Sequence, residues 1–359
     1  MDNIKLYAAT NDELRELLRL TQTFSRDIKM VFGTEKCKTL STARGKLEMR
    51  NCTTEDADTM EATNEDDIYR YMGHMQSKQI THKQMKQKLG EEYLNHTKSI
   101  LKTKLRGKNM IKAINTYATP VLTFSFRKVK WTPIDLQNFQ TKTRTLLTRY
   151  RFHHPHAAKE RITLPRQMGG KGLNDITRLH DKQVRLLQTY FLNKQITSPL
   201  HAAVVQADHW YTPLDLLHAN KNELTTDKEY TNKVKRQWSH KALHGRHPYD
   251  LSQQHVDIEG SNKWLTSADL FAKTEGFLTA IQDQVILTRN YKKYILKQPN
   301  INELYRRCGK ESETIQHITA ACEQLAPTEY LERRDGLAKM IHQKLAEAAE
   351  LIEEKSPYY

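Results

Sequence analysis

Apolar positions along the chain follow two rhythms, and the change between them falls near residue 75. Before it the pattern is mixed. IKLYAA suits a strand, and TNDELRELLRLTQTFSRDI suits a helix with Leu14, Leu17, Leu18, Phe24 and Ile28 on one face and Thr10 and Glu13 as a capping box. IKMVFGTEKCKTL follows as an extended segment broken at Gly33, and the acidic, aperiodic EMRNCTTEDADTMEATNEDD reads as hairpin or loop. IYRYMG then alternates as a strand, with Tyr69 and Tyr71 on one side. Strand, helix, turn and strand predict a small α+β unit.

From Thr81 onward the period is helical. ITHKQMKQKLGEEYLNHTKSILKTKLRG turns Met85, Leu89, Tyr93 and Ile100 inward and is predicted to end at Gly107. NMIKAINTYATPVLTFSF is a second helix, interrupted at Pro120, and a third starts at TPIDL with Thr132 as N-cap and Pro133 in the first turn. These three helices predict a bundle. HHPHAAKERITLPRQMGGKGL, rich in Pro, Gly and His, reads as a joint with its histidines on the surface. Helices are predicted after it from Asn174 to about Lys194, from Ser267 toward Lys297, and over PTEYLERRDGLAKMIHQKLAEAAELIEEK. TPLDL at 212–216 repeats the start signal at Thr132, but nothing around it repeats, so no solenoid is expected. The predicted class is mostly α with a small α+β N-terminal unit.

Charge changes the picture most. Lys and Arg outnumber Asp and Glu by 57 to 42 over 359 residues. Between Gln76 and Arg166 there are 20 Lys/Arg against 4 Asp/Glu, so this one segment carries the whole excess and points to an anionic partner. Lys98, Lys102, Lys104, Arg106, Lys108 and Lys112, then Arg127, Lys128 and Lys130, are spaced to cover much of a helix-turn surface and suit phosphate contacts. A merely solvated helix face is the plainer alternative. Asp2, Lys5 and Asp12 interrupt any signal-peptide run, and YATPVLTFSF falls short of the roughly 20 apolar residues of a membrane span. A soluble protein, nuclear or cytoplasmic and not secreted, is expected, with Cys37, Cys52, Cys308 and Cys322 as free thiols or metal ligands.

Two motifs suggest chemistry. GGKG at Gly169 to Gly172 could bring backbone amides to phosphate, but it lacks the spacing and hydroxyl of a P-loop, so a turn is the better reading. YRRCGKESETIQHITAAC sets Cys308, His317 and Cys322 as C-x8-H-x4-C, three ligands suited to Zn²⁺, which in structural sites takes four. Packing of Ile318, Ala321 and Leu325 against the closing helix could hold the same turn without metal.

MDNIKLYA, FSRDIKMVFGTEKCK and IYRYMG, in that order, resemble the end of the palm of a reverse transcriptase. They look most like the non-LTR retrotransposon class that pairs its polymerase with a restriction-like endonuclease. There the first stretch is an aromatic-x-Asp-Asp turn followed by I/L-K-L-Y, the second a glycine turn before Lys-Cys, and the third the primer-grip hairpin. The resemblance continues through AINTYATPVLTFSF, LPRQMGGKGL and TEGFLTAIQDQVILTRNY to a Cys-Cys-His-Cys knuckle, and so covers essentially the whole chain.

The resemblance implies a partial palm over 1–75, a basic helical thumb over 76–150 and a helical linker over 151–300. A degenerate zinc knuckle over 301–325 and a C-terminal helix over 326–359 would follow, the SPYY ending matching the signal before the nuclease. It makes Asp2 the remnant of a catalytic aspartate, puts neutral Asn3 where the second belongs, and assigns Tyr69, Tyr71, Met72 and Gly73 to the primer grip. Tyr305 stands where the knuckle's first cysteine belongs. The family's other metal-binding Asp precedes this sequence, so Mg²⁺ belongs to the ancestral RNA-directed DNA polymerase and is not expected here. The expected function is a truncated transposable-element protein that binds a template–primer duplex of RNA or DNA, with no membrane or small-molecule substrate, and is inactive alone. Alternatives are a host-recruited nucleic-acid-binding protein, or an active reverse transcriptase whose upstream half is missing from the gene model.

Overall fold

The computed structural model describes residues 4–30, 33, 37–44, 46–53, 59–63, 69–71, 73–76, 80–219 and 226–352. Asp2, Asn3, Met72 and the terminal Pro-Tyr-Tyr lie outside these residues. The helices are α1 Asn11–Asp27, α2 His82–Leu101, α3 Gly107–Ala113, α4 Thr119–Thr123, α5 Pro133–Arg149, α6 Glu160–Thr163 and α7 Ile176–Lys194. They continue with α8 Pro199–Ala207, α9 Asp227–Ser239, α10 Arg246–Leu251, α11 Ile258–Ser267, α12 Ala272–Gln282, α13 Arg289–Tyr294 and α14 Leu331–Ala348. The strands are short: β1 Lys38–Thr39, β2 Ser41–Ala43, β3 Lys46–Glu48, β4 Cys52–Thr53, β5 Thr59–Ala62, β6 Tyr69–Tyr71 and β7 His74–Gln76. The protein is therefore mostly helical with a small β component. No helix among the described residues is long and apolar enough to cross a membrane.

The chain divides into two units, and neither is continuous in sequence. The described residues within 1–93, 120–136 and 177–222 form the first. In it β5 pairs in parallel with β1 and antiparallel with β4, while β2–β3 and β6–β7 are separate hairpins. Gly73 turns the second hairpin at φ +80°, a conformation that favours glycine. The capping box of α1 forms as the sequence predicts, with Thr10 Oγ1 accepting from the Glu13 amide and Glu13 reaching back to the Thr10 amide.

Two readings of this region need correction. Residues 4–8 form no strand, since no described strand pairs with them. On α1, Phe24 and Ile28 are exposed, and the helix buries Leu18, Gln22 and Ser25 instead. Elsewhere in the unit Met85, Leu89 and Tyr93 point inward as expected. Leu192, Val205, Leu214 and Leu216 close a second cluster beneath α7 and α8. TPLDL starts no α-helix, only a 3₁₀ turn over Leu216–His218: the buried Asp208 carboxylate takes the amides of Thr212 and Leu216 and the Thr212 hydroxyl, folding the segment before it into a loop.

The second unit comprises the described residues within 94–119, 137–176 and 223–359. Here α2 stops at Leu101, short of the predicted Gly107, and Gly107 instead opens α3. The reason is tertiary. The Gly107 amide donates to the Leu270 carbonyl at 2.8 Å, and a Cβ there would meet a Glu275 carboxylate oxygen at 2.3 Å. The interruption at Pro120 is real, because residues 114–118 widen into a π turn before α4, where proline can offer no amide to the preceding turn.

The segment read as a surface joint is the centre of this unit. Phe152, His153, Ala158, Arg161, Leu164 and Lys171 are all at most 1% exposed. GGKG does form a turn, with Gly169 and Gly172 at φ +83° and +78°. It is buried, because the amides of Lys171, Gly172 and Leu173 bond back to the carbonyls of Arg161, Leu164 and Ile162. A Cβ at Gly170 would lie 2.0 Å from the Leu164 carbonyl oxygen, so no larger residue fits this approach.

Charges buried around the turn are paired across long sequence distances. Arg161 Nε donates to Asp283 at 2.8 Å, with both side chains fully buried, and its guanidinium lies 4.6 Å from the Trp238 ring. Glu275 accepts from Arg166 at 3.0 and 3.2 Å and from Lys171 at 3.2 Å. Such groups stay inside only because each charge has partners.

Candidate metal centre and nucleic-acid interface

The C-terminal Cys/His motif folds into a tight knuckle. Leu304 and Ser312 bridge as antiparallel neighbours, the Tyr305 amide donates to the Glu311 carbonyl at 2.7 Å, and the Gly309 amide donates to the Tyr305 carbonyl at 2.8 Å. Gly309 sits at φ +65°, which reverses the chain directly after Cys308. The next segment supplies the other ligands: a π turn over His317–Ala321 presents His317 and ends at Cys322. The Tyr330 hydroxyl donates toward the carbonyls of His317 and Ile318 and accepts from the Cys322 amide. One phenol thus fixes both ligand-bearing residues.

These contacts bring the ligand atoms of Cys308, His317 and Cys322 within 4.8 Å of one another, with His317 and Cys322 buried. Cys308 Sγ and His317 Nε2 are 3.3 Å apart. Tetrahedral zinc with ordinary bond lengths spaces a sulfur and a nitrogen about 3.6 Å apart, so the pair fits such an ion with little adjustment. Backbone amides of Glu311 and Lys310 point at the Cys308 sulfur and bring its thiol down to about 7, with smaller help from His317 and Cys322. The thiolate is the form that binds metal. Glu311 Oε2 lies 2.9 Å from His317 Nδ1, off hydrogen-bond geometry but near enough to favour the proton there and leave Nε2 for the metal.

Among the described residues no fourth Cys, His or carboxylate joins this group. Tyr305 packs edge-on against His317, with centroids 5.5 Å apart, and burial pushes its phenol above the ordinary value, so it stays protonated at neutral pH. Three ligands with one position left over can hold a zinc ion and still admit an outside ligand. The packing alternative finds partial support, since Leu325 is buried but Ala321 is exposed and α14 buries none of its residues.

The nine cationic residues picked from the sequence separate into two groups. Lys98, Lys102, Lys104, Lys112 and Lys128 are exposed and make no ion pair with a described residue. The other four are engaged or partly covered. Arg106 donates to the Asp269 carbonyl and lies 4.3 Å from the Phe271 ring, and Lys108 donates to the Thr266 carbonyl. Lys130 donates to the Trp210 carbonyl, and Arg127 Nε is buried. Of the primer-grip residues, Tyr71 lies in β6 with the Lys5 ammonium 5.4 Å from its ring, and Gly73 packs close to Phe124.

Sequence reasoning missed Glu311 and Tyr330, whose roles depend on three-dimensional closure, and it placed His153 on the surface. His153 is 1% exposed and neither ring nitrogen has a partner among the described residues. Burial, then the nearby Lys171, Arg144 and Arg161 charges, lower it to about 3, so it is a neutral core residue at physiological pH. No protein-family model matches the chain, and no curated protein does.

Proposed function

We propose that this chain is a nucleic-acid-binding protein that lays a template–primer duplex on the lysine-rich end of α2 and the start of α3, and that closes its C-terminal part around one zinc ion. The observation that carries the proposal is the set Lys98, Lys102, Lys104 and Lys112, exposed and unpaired among the described residues within the segment that holds the chain's entire positive excess. Unpaired lysines near one another release counterions when they meet phosphates, which gives affinity without sequence preference. The resemblance to a non-LTR retrotransposon reverse transcriptase supplies the natural substrate class, RNA or DNA duplex. The proposal stops at binding, because the polymerase half of the resemblance rests on Asp2 and Asn3.

Zinc would be held by Cys308, His317 and Cys322, where it would brace the knuckle against the π turn. The test is fluorescence anisotropy of a labelled RNA–DNA primer–template with the full chain, alongside primer extension with all four deoxynucleotides. Binding that weakens at least tenfold in K102E/K104E, without extension product, is expected. Duplex affinity untouched by the double reversal would overturn the assignment of the surface, and robust extension would overturn the restriction to binding.

A further inference from the structure

α9 and α10 form a helical hairpin whose inner and outer faces differ sharply. Val234 and Trp238 anchor α9 inward against Ala158 and Leu164. Gly245 makes the tight connection, where a Cβ would come within 2.2 Å of the Lys241 carbonyl oxygen. On the outer side the two helices enclose a shallow groove of about 560 Å³, lined among others by Asn232, Lys235, Arg236, His240, Tyr249 and Ser252. No described carboxylate lines it. The nearest acids in sequence are occupied: Asp250 pairs with Arg246 at 3.0 Å, and Glu229 is spent on the α9 capping box.

Lys235 and Arg236 make no ion pair with a described residue, and Tyr249 is 60% exposed. The His240 Nδ1 donates to the Arg236 carbonyl at 2.7 Å, which leaves Nε2 to meet a ligand. An adjoining depression of about 480 Å³ adds Lys233 and the Glu229 carboxylate, the latter bonded to the Thr226 amide in the capping box.

We infer that this groove binds a single-stranded nucleic acid, with one base stacked on Tyr249 and the adjoining phosphates on Lys235 and Arg236. Cationic side chains beside an exposed aromatic ring are what an unpaired strand needs, because its phosphates attract the charge and its bare bases stack on the ring. A duplex hides its base faces and gains nothing from Tyr249, while an acidic peptide would use the charges alone. The inference rests on the nucleic-acid-binding reading above but places a second, single-strand site outside the α2–α3 surface.

Binding of a labelled 12-mer oligothymidine and a 12-mer oligouridine by the full chain tests it, with the duplex measured in parallel. Tyr249→Ala is expected to weaken single-strand binding about tenfold and Tyr249→Phe to restore it. K235E/R236E is expected to flatten the log affinity against log salt by about 1.4, with duplex affinity kept within threefold in all three variants. If wild type binds duplex while the single strand is unbound or indifferent to these substitutions, the groove inference fails and the duplex proposal stands. If wild type binds neither, both fail. Polyglutamate competing as well as the oligonucleotides would also overturn it, since the ring would then have no part.

Discussion

Exchanging Glu275 for glutamine should loosen the buried turn of the second unit. Its carboxylate takes two bonds from Arg166 and one from Lys171, at 3.0, 3.2 and 3.2 Å. Arg166 can turn partly to water, but Lys171 is 1% exposed and would keep a buried ammonium without its anion. Removing one partner of a buried pair costs about 3–5 kcal/mol. The pH dependence follows from Lys171, which burial already lowers from 10.5 to about 8 while Glu275 opposes the fall. The unfolded chain therefore holds more protons than the folded one between pH 8 and 10.5, and stability from this group rises with pH across that window. In Glu275→Gln the folded-state value drops further, so the part of the deficit linked to Lys171 grows as pH falls below about 8 and narrows as pH rises through it. Amide hydrogen exchange over residues 169–173 and α12 reads this directly. A loss of about 3 kcal/mol in local opening appears as a more than hundredfold faster exchange. K171M/E275Q should recover part of it by removing the stranded charge. Acceleration below tenfold at pH 7, or a deficit that grows with pH, would refute the reasoning.

Other outcomes follow from the same structure. His153 and His247 are each lowered to about 3 by burial, so between pH 6.5 and 3 the unfolded chain binds more protons and stability falls as pH drops. At pH 4.5 each should cost on the order of 3 kcal/mol, and H153L/H247F should flatten the fall in urea midpoint between pH 7 and 4.5. Zinc titration against a competing chelator should give one ion per chain, with Tyr305→Cys at least tenfold tighter because it completes four ligands. Equal affinity of the two proteins would show that Tyr305 does not stand at the open position. Gly107→Ala should destabilise the second unit by more than 1 kcal/mol in urea unfolding, since its methyl would displace the Glu275 carboxylate.

Local signals were legible wherever the chain satisfies itself within a few residues. Thr10 with Glu13 caps α1, Thr132 with Asp135 caps α5, and Gly169 and Gly172 turn the backbone where the sequence placed a turn. The ligand trio was legible too, because Cys308, His317 and Cys322 lie close in sequence. What could not be read are arrangements fixed by distant partners. His153, Arg161 and Lys171 sit in a stretch whose composition suggests a surface joint, yet Arg161 and Lys171 find their anions 122 and 104 residues away at Asp283 and Glu275. The early end of α2 has the same cause, since Leu270 and Glu275 claim Gly107 for the start of α3. Phe24 and Ile28 were misread for the complementary reason: period alone marks a face but does not supply a neighbour to bury it.

The salt dependence of duplex binding tests the central proposal most directly. With Lys98, Lys102, Lys104 and Lys112 on phosphates, log affinity should fall linearly with log salt at a slope of about −3.6, and K102E/K104E should reduce that slope by about 2. No measurable binding at low salt, or a slope that the double reversal leaves unchanged, would contradict it.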